Sequence, residues 1–262
     1  MRWIRYTAAG CTAYGILDGE VITEVKGDPF NSYEKTATKH ALKSVQIELP
    51  VKPGNFLCVG LNYAEHVVMA AKKLGIKADL PEKPDVGYRA INALLPHNQD
   101  VVIPRDATEK IHYEGELVAV IGKRCRNVSE ADALTYVLGY TIGNDVSERS
   151  WQKGDRTLWR AKNTDTFKPM GPWIETDVDL DKLTTHVRVN GTETTRFKTN
   201  AMIHGVALYI SAISRYCTME AGDVLWMGTD DKSPDLKHGD VVEVEITGLG
   251  VLRNRFVKEG MA

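Results

Sequence analysis

Tyr113-Glu114-Gly115-Glu116 opens a run, Leu117 to Ile121, that is otherwise apolar. On a strand, the two-residue period puts Glu114 and Glu116 on one face, continued by Val118 and Val120, with Leu117, Ala119 and Ile121 on the other. Both faces are apolar beyond the glutamates, so the segment reads as a central strand. Two like charges on one buried face repel and lose hydration, and need a cation to stay ionised. A third carboxylate, Asp145, follows another strand-like run, Val137 to Ile142, at Gly143-Asn144-Asp145. Strand ends are where rigid scaffolds present functional groups. Three hard oxygen donors, with no histidine cluster and no thiolate nearby, suit Mg²⁺ or Mn²⁺ completed by water and substrate oxygens. The competing reading is that these acids pair with Arg and Lys at the surface. A helical turn after Asp145 would place Arg149 and Gln152 on its side, and an Asp–Arg pair at i and i+4 is commonly a local ion pair. Lys162, taken alone, reads as a solvated lysine.

The elements that must position these groups belong to a chain of 262 residues with 35 Asp+Glu, 33 Lys+Arg and a net charge of -2. That balance lacks the positive field on which non-specific nucleic-acid or anionic-membrane binding relies. Hydrophobic residues make up 43%, which excludes a disordered chain. No apolar run approaches the ~20 residues of a membrane span, and no signal-peptide pattern follows the start, so a cytoplasmic protein is expected. Cys11, Cys58, Cys125 and Cys217 lie dozens of residues apart. They form no metal or redox pair and read as buried free thiols.

Arg2 to Tyr6, Thr12 to Leu17 and Val21 to Val25 are β-like, with Asp18-Gly19 a hairpin signal between the last two. Asn31 to Lys43 is polar and poorly periodic. Pro50 and Pro53-Gly54 then precede an apolar strand, Phe56 to Val59, which places a boundary near residue 50, between a small domain, 1–50, and a larger one, 51–262. Ser129 and Asp132 resemble a capping box for a helix through Tyr136, with Gly139 available to end it. Thr199 is a possible cap for a helix using Met202, Val206, Ile210 and Ile213. Val242, Val244 and Ile246 alternate with Glu243 and Glu245, the pattern of a half-solvated strand. Strand signals dominate, so the expected class is α+β.

Three blocks of sequence combine these features. They are Tyr113-Glu114-x-Glu116-Leu117, then Gly139-Tyr140-x-x-Gly143-Asn144-Asp145-Val146-Ser147-x-Arg149-x-x-Gln152, then Ala161-Lys162-x-x-Asp165-x-Phe167-x-Pro169-x-Gly171-Pro172. Asn190-Gly191, Ser214, Met219-Glu220-x-Gly222-Asp223 and Gly228-Thr229 follow in order. From about residue 54 to the C-terminus the chain resembles the fumarylacetoacetate hydrolase superfamily, and the short N-terminal part resembles those of bacterial members. The resemblance implies a mixed β-sandwich roll behind a small β-rich N-terminal domain, a homodimer, and Mg²⁺ or Mn²⁺ on Glu114, Glu116 and Asp145. It also implies a small dicarbonyl or 2-oxo acid substrate. Arg149, Gln152, Thr229 and Arg89 correspond to substrate-binding positions and Lys162 to the group that stabilises or protonates the oxyanion or carbanion. His66, in Asn62-Tyr63-Ala64-Glu65-His66, corresponds to the general base.

Three departures bear on the reaction. Met69 stands where many members carry a glutamate that polarises the histidine. Arg89, in Asp85-Val86-Gly87-Tyr88-Arg89-Ala90, stands near the place of a lysine, and an Arg fork is not equivalent to an ammonium. Asp230-Asp231-Lys232-Ser233-Pro234 replaces the usual proline and glycine after Thr229. The implied activity is C–C bond hydrolysis of an acylpyruvate or fumarylacetoacetate-like 1,3-dicarbonyl compound. The alternative is decarboxylation or isomerisation of a 2-oxo (alkene)dioate, such as 2-hydroxyhepta-2,4-diene-1,7-dioate or oxaloacetate, as in aromatic-acid catabolism. A member that binds a 2-oxo acid without efficient catalysis is a third reading, against which the intact carboxylates and Lys162 argue.

Overall fold

Strand Gly115–Ile121 is buried at every position and forms the centre of a 12-stranded sheet. It pairs antiparallel with Val137–Asn144 on one side and Val224–Trp226 on the other. Strands Phe56–Val59 and Val86–Tyr88 continue the sheet beyond Val224–Trp226. In the other direction Lys168–Glu175 pairs with Val137–Asn144, and Arg2–Ala8 pairs with Lys168–Glu175. The computed structural model of the protein describes residues 1–230 and 232–261, apart from the side chains of His66, Ala70, Lys73 and Leu74. Among the described residues strand makes up 43% and helix 16%, so the α+β, β-dominated class is the one observed.

A second, five-stranded sheet runs in the order Thr192–Lys198, Thr184–Val189, Val241–Ile246, Gly250–Lys258 and Asp100–Ile103. The two-residue period of the central strand divides it between two cores. Leu117, Ala119 and Ile121 pack with Val187, Val244 and Phe256 of the second sheet and with Val206, Ile210 and Ile213 of helix Val206–Ser214. Val118 and Val120 face the other way, against Trp226, Phe56, Met170 and Trp3. At roughly 25 cal/mol per Å² of apolar surface, burial on both faces makes this strand a stable base for the carboxylates at its start.

The first fifty residues build hairpins Arg2–Ala8 to Cys11–Asp18, Cys11–Asp18 to Val21–Gly27, and Val21–Gly27 to Tyr33–Ala41. Gly19, at φ 56°, supplies the positive φ that the Asp18-Gly19 turn requires. The main sheet therefore runs on into this segment, and the Met1 ammonium and Arg2 Nε close the seam on Glu175 at 2.7 and 3.1 Å.

Several local expectations hold and several are corrected. Ser129 caps helix Glu130–Ala133, its hydroxyl accepting the Asp132 N–H. Val242, Val244 and Ile246 are buried and alternate with half-buried Glu243 and Glu245. Thr199 caps no helix: it is buried, its hydroxyl is 2.8 Å from Thr185 Oγ1, and the helix starts after Gly205, leaving Met202 outside it. Gly139 lies within strand Val137–Asn144 instead of ending a helix; a Cβ there would fall 2.4 Å from the Glu175 carbonyl oxygen. Asn31 to Lys43 contains strand Tyr33–Ala41, which is mostly exposed and has no apolar face to show a period. All four cysteines are free, but Cys11 and Cys217 are exposed, Cys11 at a hairpin start and Cys217 just beyond helix Val206–Ser214.

Gly143 has a specific task. A Cβ on it would lie 2.6 Å from the fully buried ring of Trp226, so only glycine lets Trp226 cross this strand just before Asp145. Gly143→Ala is expected to cost about 1–3 kcal/mol by overpacking. At about 2–4 °C per kcal/mol for a chain of this size, a thermal melt should resolve the loss. An unchanged melting temperature would contradict the packing argument.

Candidate active site

Glu114 immediately precedes strand Gly115–Ile121, Glu116 lies within it, and Asp145 immediately follows Val137–Asn144. The antiparallel register Gly115↔Asn144 brings these ends together. Asn144 Oδ1 accepts the Glu114 N–H at 3.0 Å and the Glu114 carbonyl accepts the Asp145 N–H at 2.8 Å. One oxygen from each of Glu114, Glu116 and Asp145 lies within 4.8 Å of the others, and the three residues are 8%, 3% and 2% exposed. Surface ion pairing is thereby excluded.

A cavity of about 240 Å³ opens over the carboxylates, and Arg89, Arg149, Gln152, Lys162 and Thr229 line it with them. Eight of the nine sequence-selected residues therefore meet in one place. The ninth, His66, belongs to helix Ala64–Leu74, and its side chain lies outside the described residues. The start of that helix is tied down by Asn62, whose amide donates to the carbonyls of His204 and Met227 at 3.1 Å each, and by the Tyr63 hydroxyl on the Thr199 carbonyl at 2.5 Å.

Lys162 is 4% exposed, so its reading as a solvated lysine is corrected: Nζ bridges Glu114 Oε2 at 2.6 Å and Asp145 Oδ2 at 2.9 Å. Arg149 does not pair with Asp145. The backbone leaves Asp145 as strand Ser147–Glu148 before helix Arg149–Gln152 begins. The Arg149 guanidinium instead lies 2.7 Å from Glu114 Oε1 and donates to Gln152 Oε1 at 2.9 Å, so Arg149 and Gln152 do share a side. Asp145 is held by Arg89 Nη2 at 2.9 Å on Oδ2 and by Lys168 Nζ at 2.7 Å on Oδ1. Sequence reasoning passed over Lys168. Its signal is a lysine between Phe167 and Pro169 in a strand whose other residues are apolar or glycine as far as Glu175.

These contacts sort the carboxylates. Burial alone would raise Glu114, but Lys162 and Arg149 outweigh it and hold the carboxyl below its ordinary range. Asp145 is also buried, yet Arg89, Lys162 and Lys168 hold it well below. Glu116 is driven well above the usual value, first by burial and then by repulsion from Asp145 and Glu114; Gly228 donates its N–H to Oε2 at 2.8 Å. Burial pushes the Lys168 amine down to about 8 against the pull of Asp145, and pushes the neighbouring Cys58 thiol up to about 12, leaving an inert sulfur.

The donor set fits a hard divalent ion. Carboxylate oxygens carry two lone pairs each, so an ammonium contact does not exhaust them, and Glu116 is the acid on which no lysine or arginine sits among the described ion pairs.

Residues 55–257 match the family model described as fumarylacetoacetate (FAA) hydrolase C-terminal. The chain belongs to the fumarylacetoacetate hydrolase family. Residues 1–50 match a second model, Rv2993c-like, N-terminal. A 2,4-didehydro-3-deoxy-L-rhamnonate hydrolase of Sphingomonas is 39% identical over 97% of this chain and 95% of its own length. The oxaloacetate tautomerase YisK of Bacillus subtilis is 32% identical over 82% of this chain and 74% of its own. The crystal structure of a 2-hydroxyhepta-2,4-diene-1,7-dioate isomerase from Mycobacterium marinum is 34% identical, covers 99% of both chains and superposes with a TM-score of 0.89. Family membership thus spans hydrolysis, isomerisation and tautomerisation. Among the described residues no helix is long and apolar enough to cross a membrane.

Proposed function

We propose that this protein is a divalent-metal-dependent enzyme that moves protons on a small 2-oxo diacid, with tautomerisation or decarboxylation as the outcome. The observation that carries this reading is the charge of the cavity. Four cations stand within ion-pair distance of only two of the three carboxylates, Arg149 on Glu114, Arg89 on Asp145, Lys162 on both and Lys168 on Asp145 from behind the cavity wall, and a divalent ion adds to the excess. A buried surplus of positive charge is stable only with an anionic occupant. The volume, about 240 Å³, lies below the range of drug-sized pockets, which starts near about 300 Å³.

Glu114, Glu116 and Asp145 would hold Mg²⁺ or Mn²⁺. When bound, the ion supplies Lewis acidity toward the 2-oxo and adjoining carboxylate oxygens. Lys162 would place its ammonium beside the oxygen that becomes an enolate and return a proton to C3. In decarboxylation the bond from C3 to the departing carboxylate breaks, its electron pair forms the enolate, and C3 is then protonated. Arg149 and Gln152 would hold the distal carboxylate, and Arg89 would fix Asp145. His66 would serve as the base that takes the C3 proton in tautomerisation.

Thr229 supports the same placement: its hydroxyl is buried against the cavity and has no hydrogen-bond partner among the described residues. Thr229→Val is expected to raise KM roughly tenfold with a smaller change in kcat, as loss of one hydrogen bond to a charged group would do. Steady-state kinetics on the preferred substrate checks it, and an unchanged KM would remove Thr229 from the binding set.

Hydrolysis is the second reading, favoured by the near-full-length match to the Sphingomonas hydrolase. It requires an activated water. In the sequence around His66, Met69 stands where many family members carry a glutamate, and the adjacent acid, Glu65, is exposed. This weighs toward proton transfer. The same family context leads us to propose a homodimer, with exposed Leu61, Tyr88 and Trp159 near the cavity as surface to be covered.

The test is incubation of metal-depleted protein, resupplied with Mg²⁺ or Mn²⁺, with oxaloacetate, unsaturated 2-oxo diacids and acylpyruvates, products being identified by NMR. Keto–enol exchange or CO₂ release from the diacids is expected. Turnover of acylpyruvates alone would transfer the assignment to hydrolysis, and no turnover of any 2-oxo acid would sink both readings.

A further inference from the structure

The geometry points to Lys168 as the residue that selects the metal: by pinning Asp145 Oδ1 from the protein side it turns only Oδ2 toward the cavity, where a cation would take the place of an Arg89 or Lys162 contact on that single oxygen, which favours a small octahedral ion over Ca²⁺. The inference rests on the metal reading above.

Lys168 is 0% exposed and is absent from the cavity wall, so it approaches Asp145 from the protein side. Its three protons have three acceptors: Asp145 Oδ1 at 2.7 Å, the Val146 carbonyl at 2.8 Å and the Phe167 carbonyl at 2.9 Å. An ammonium saturated in this way, on a stem packed in a sheet strand, cannot swing aside without leaving three buried partners unmet. Arg89 and Lys162, both of which line the cavity, each reach Oδ2 at 2.9 Å, and Arg89 Nε makes only a longer contact of 3.4 Å to Oδ1. The carboxylate is therefore locked in rotation, with one oxygen inward and one outward.

Metal chemistry turns that lock into selectivity. Mg²⁺ and Mn²⁺ accept six oxygens in a compact octahedron and tolerate few protein ligands with several waters. Ca²⁺ takes six to eight oxygens and commonly draws on bidentate carboxylates. A fixed one-oxygen aspartate suits the first class and withholds a ligand from the second. Lys168 touches neither substrate nor metal in this assignment and is a positioning residue.

The experiment uses the full-length protein, metal-depleted, with Mn²⁺ and Ca²⁺ titrated separately by calorimetry. Wild-type protein is expected to bind Mn²⁺ more tightly than Ca²⁺. Lys168→Met keeps the length of the stem and removes the charge and donors; it should lower the Mn²⁺-over-Ca²⁺ preference by roughly tenfold, the scale on which outer partners of metal ligands act. The ratio is the readout because loss of one positive charge tightens both ions together. An unchanged ratio in a folded Lys168→Met protein overturns the proposal. Should that variant fail to fold, Lys168→Gln makes the same comparison with the same two outcomes. Wild-type protein that binds Ca²⁺ as tightly as Mn²⁺ overturns the proposal without any variant. Wild-type protein that binds neither ion overturns the metal reading as well, so the two failures are told apart.

Discussion

Replacing Lys162 with Met should lower turnover by about two to four orders of magnitude, the range for loss of a positioned proton donor, while Mn²⁺ binding becomes tighter. Both halves follow from one geometry. The ammonium stands 2.6 Å from Glu114 Oε2 and 2.9 Å from Asp145 Oδ2, so it donates to two of the oxygens that the metal would also use. Removing a unit positive charge at that distance from two ligands strengthens their attraction for a cation even with strong screening. The metal-free variant should also be less stable, because breaking a buried ion pair costs about 3–5 kcal/mol. The low end is expected, since Arg149 still holds Glu114, and Arg89 and Lys168 still hold Asp145. Mn²⁺ should then raise the melting temperature of the variant more than that of wild type, by ordinary binding linkage. Retained turnover would remove Lys162 from the chemistry, and weaker Mn²⁺ binding would refute the electrostatic argument.

Glu116→Gln should abolish Mn²⁺ binding and turnover yet yield a more stable metal-free protein. Glu116 is 3% exposed and its carboxyl is held well above the ordinary range, first by burial and then by Asp145 and Glu114. The sign of the pH effect follows. An acid whose folded value is raised contributes full stability below its unfolded value, and that stability is lost as pH climbs from there through the folded value. Metal-free wild type should therefore weaken as pH rises above the usual carboxylate range, and Glu116→Gln should not show this limb. The amide oxygen can still accept the Gly228 N–H, so the backbone at the cavity mouth keeps its anchor. A gain of about 1–3 kcal/mol at neutral pH is the expected scale for neutralising a buried, repelled carboxylate. Thermal melts with chelator across pH, beside calorimetric Mn²⁺ titration, separate the two effects. A variant less stable than wild type at every pH would show that the Glu116 charge is compensated in the metal-free protein.

The two predictions rest on features that were legible to different degrees. The two-residue strand period directs Glu114, immediately before the strand, and Glu116, within it, the same way, whatever the strand pairs with. The Ser129 cap, the Asp18-Gly19 turn and the alternation of Val242, Val244 and Ile246 are likewise set within a few residues. Thr199 misled for the same reason: a threonine ahead of an apolar run has a cap's local features, but its hydroxyl is taken by Thr185, fourteen residues away. Strand Tyr33–Ala41 left no trace because an exposed edge strand has no apolar face to write a period.

Covalent geometry and local period therefore determined which residues had the right type and setting: two glutamates two positions apart at a strand start, an aspartate at the end of another strand, and an arginine and glutamine on one turn. Only the tertiary structure decided their partners. Arg149 turned from Asp145 to Glu114, Lys162 came out of solvent to bridge two carboxylates, and Lys168 arrived behind Asp145 along a strand that also seats the N-terminus through Glu175. Such pairings join residues tens to more than a hundred positions apart. They depend on strand order and register across the whole sheet, which no local period encodes, and on burial, which determines whether a charge is solvated or must find a counterion.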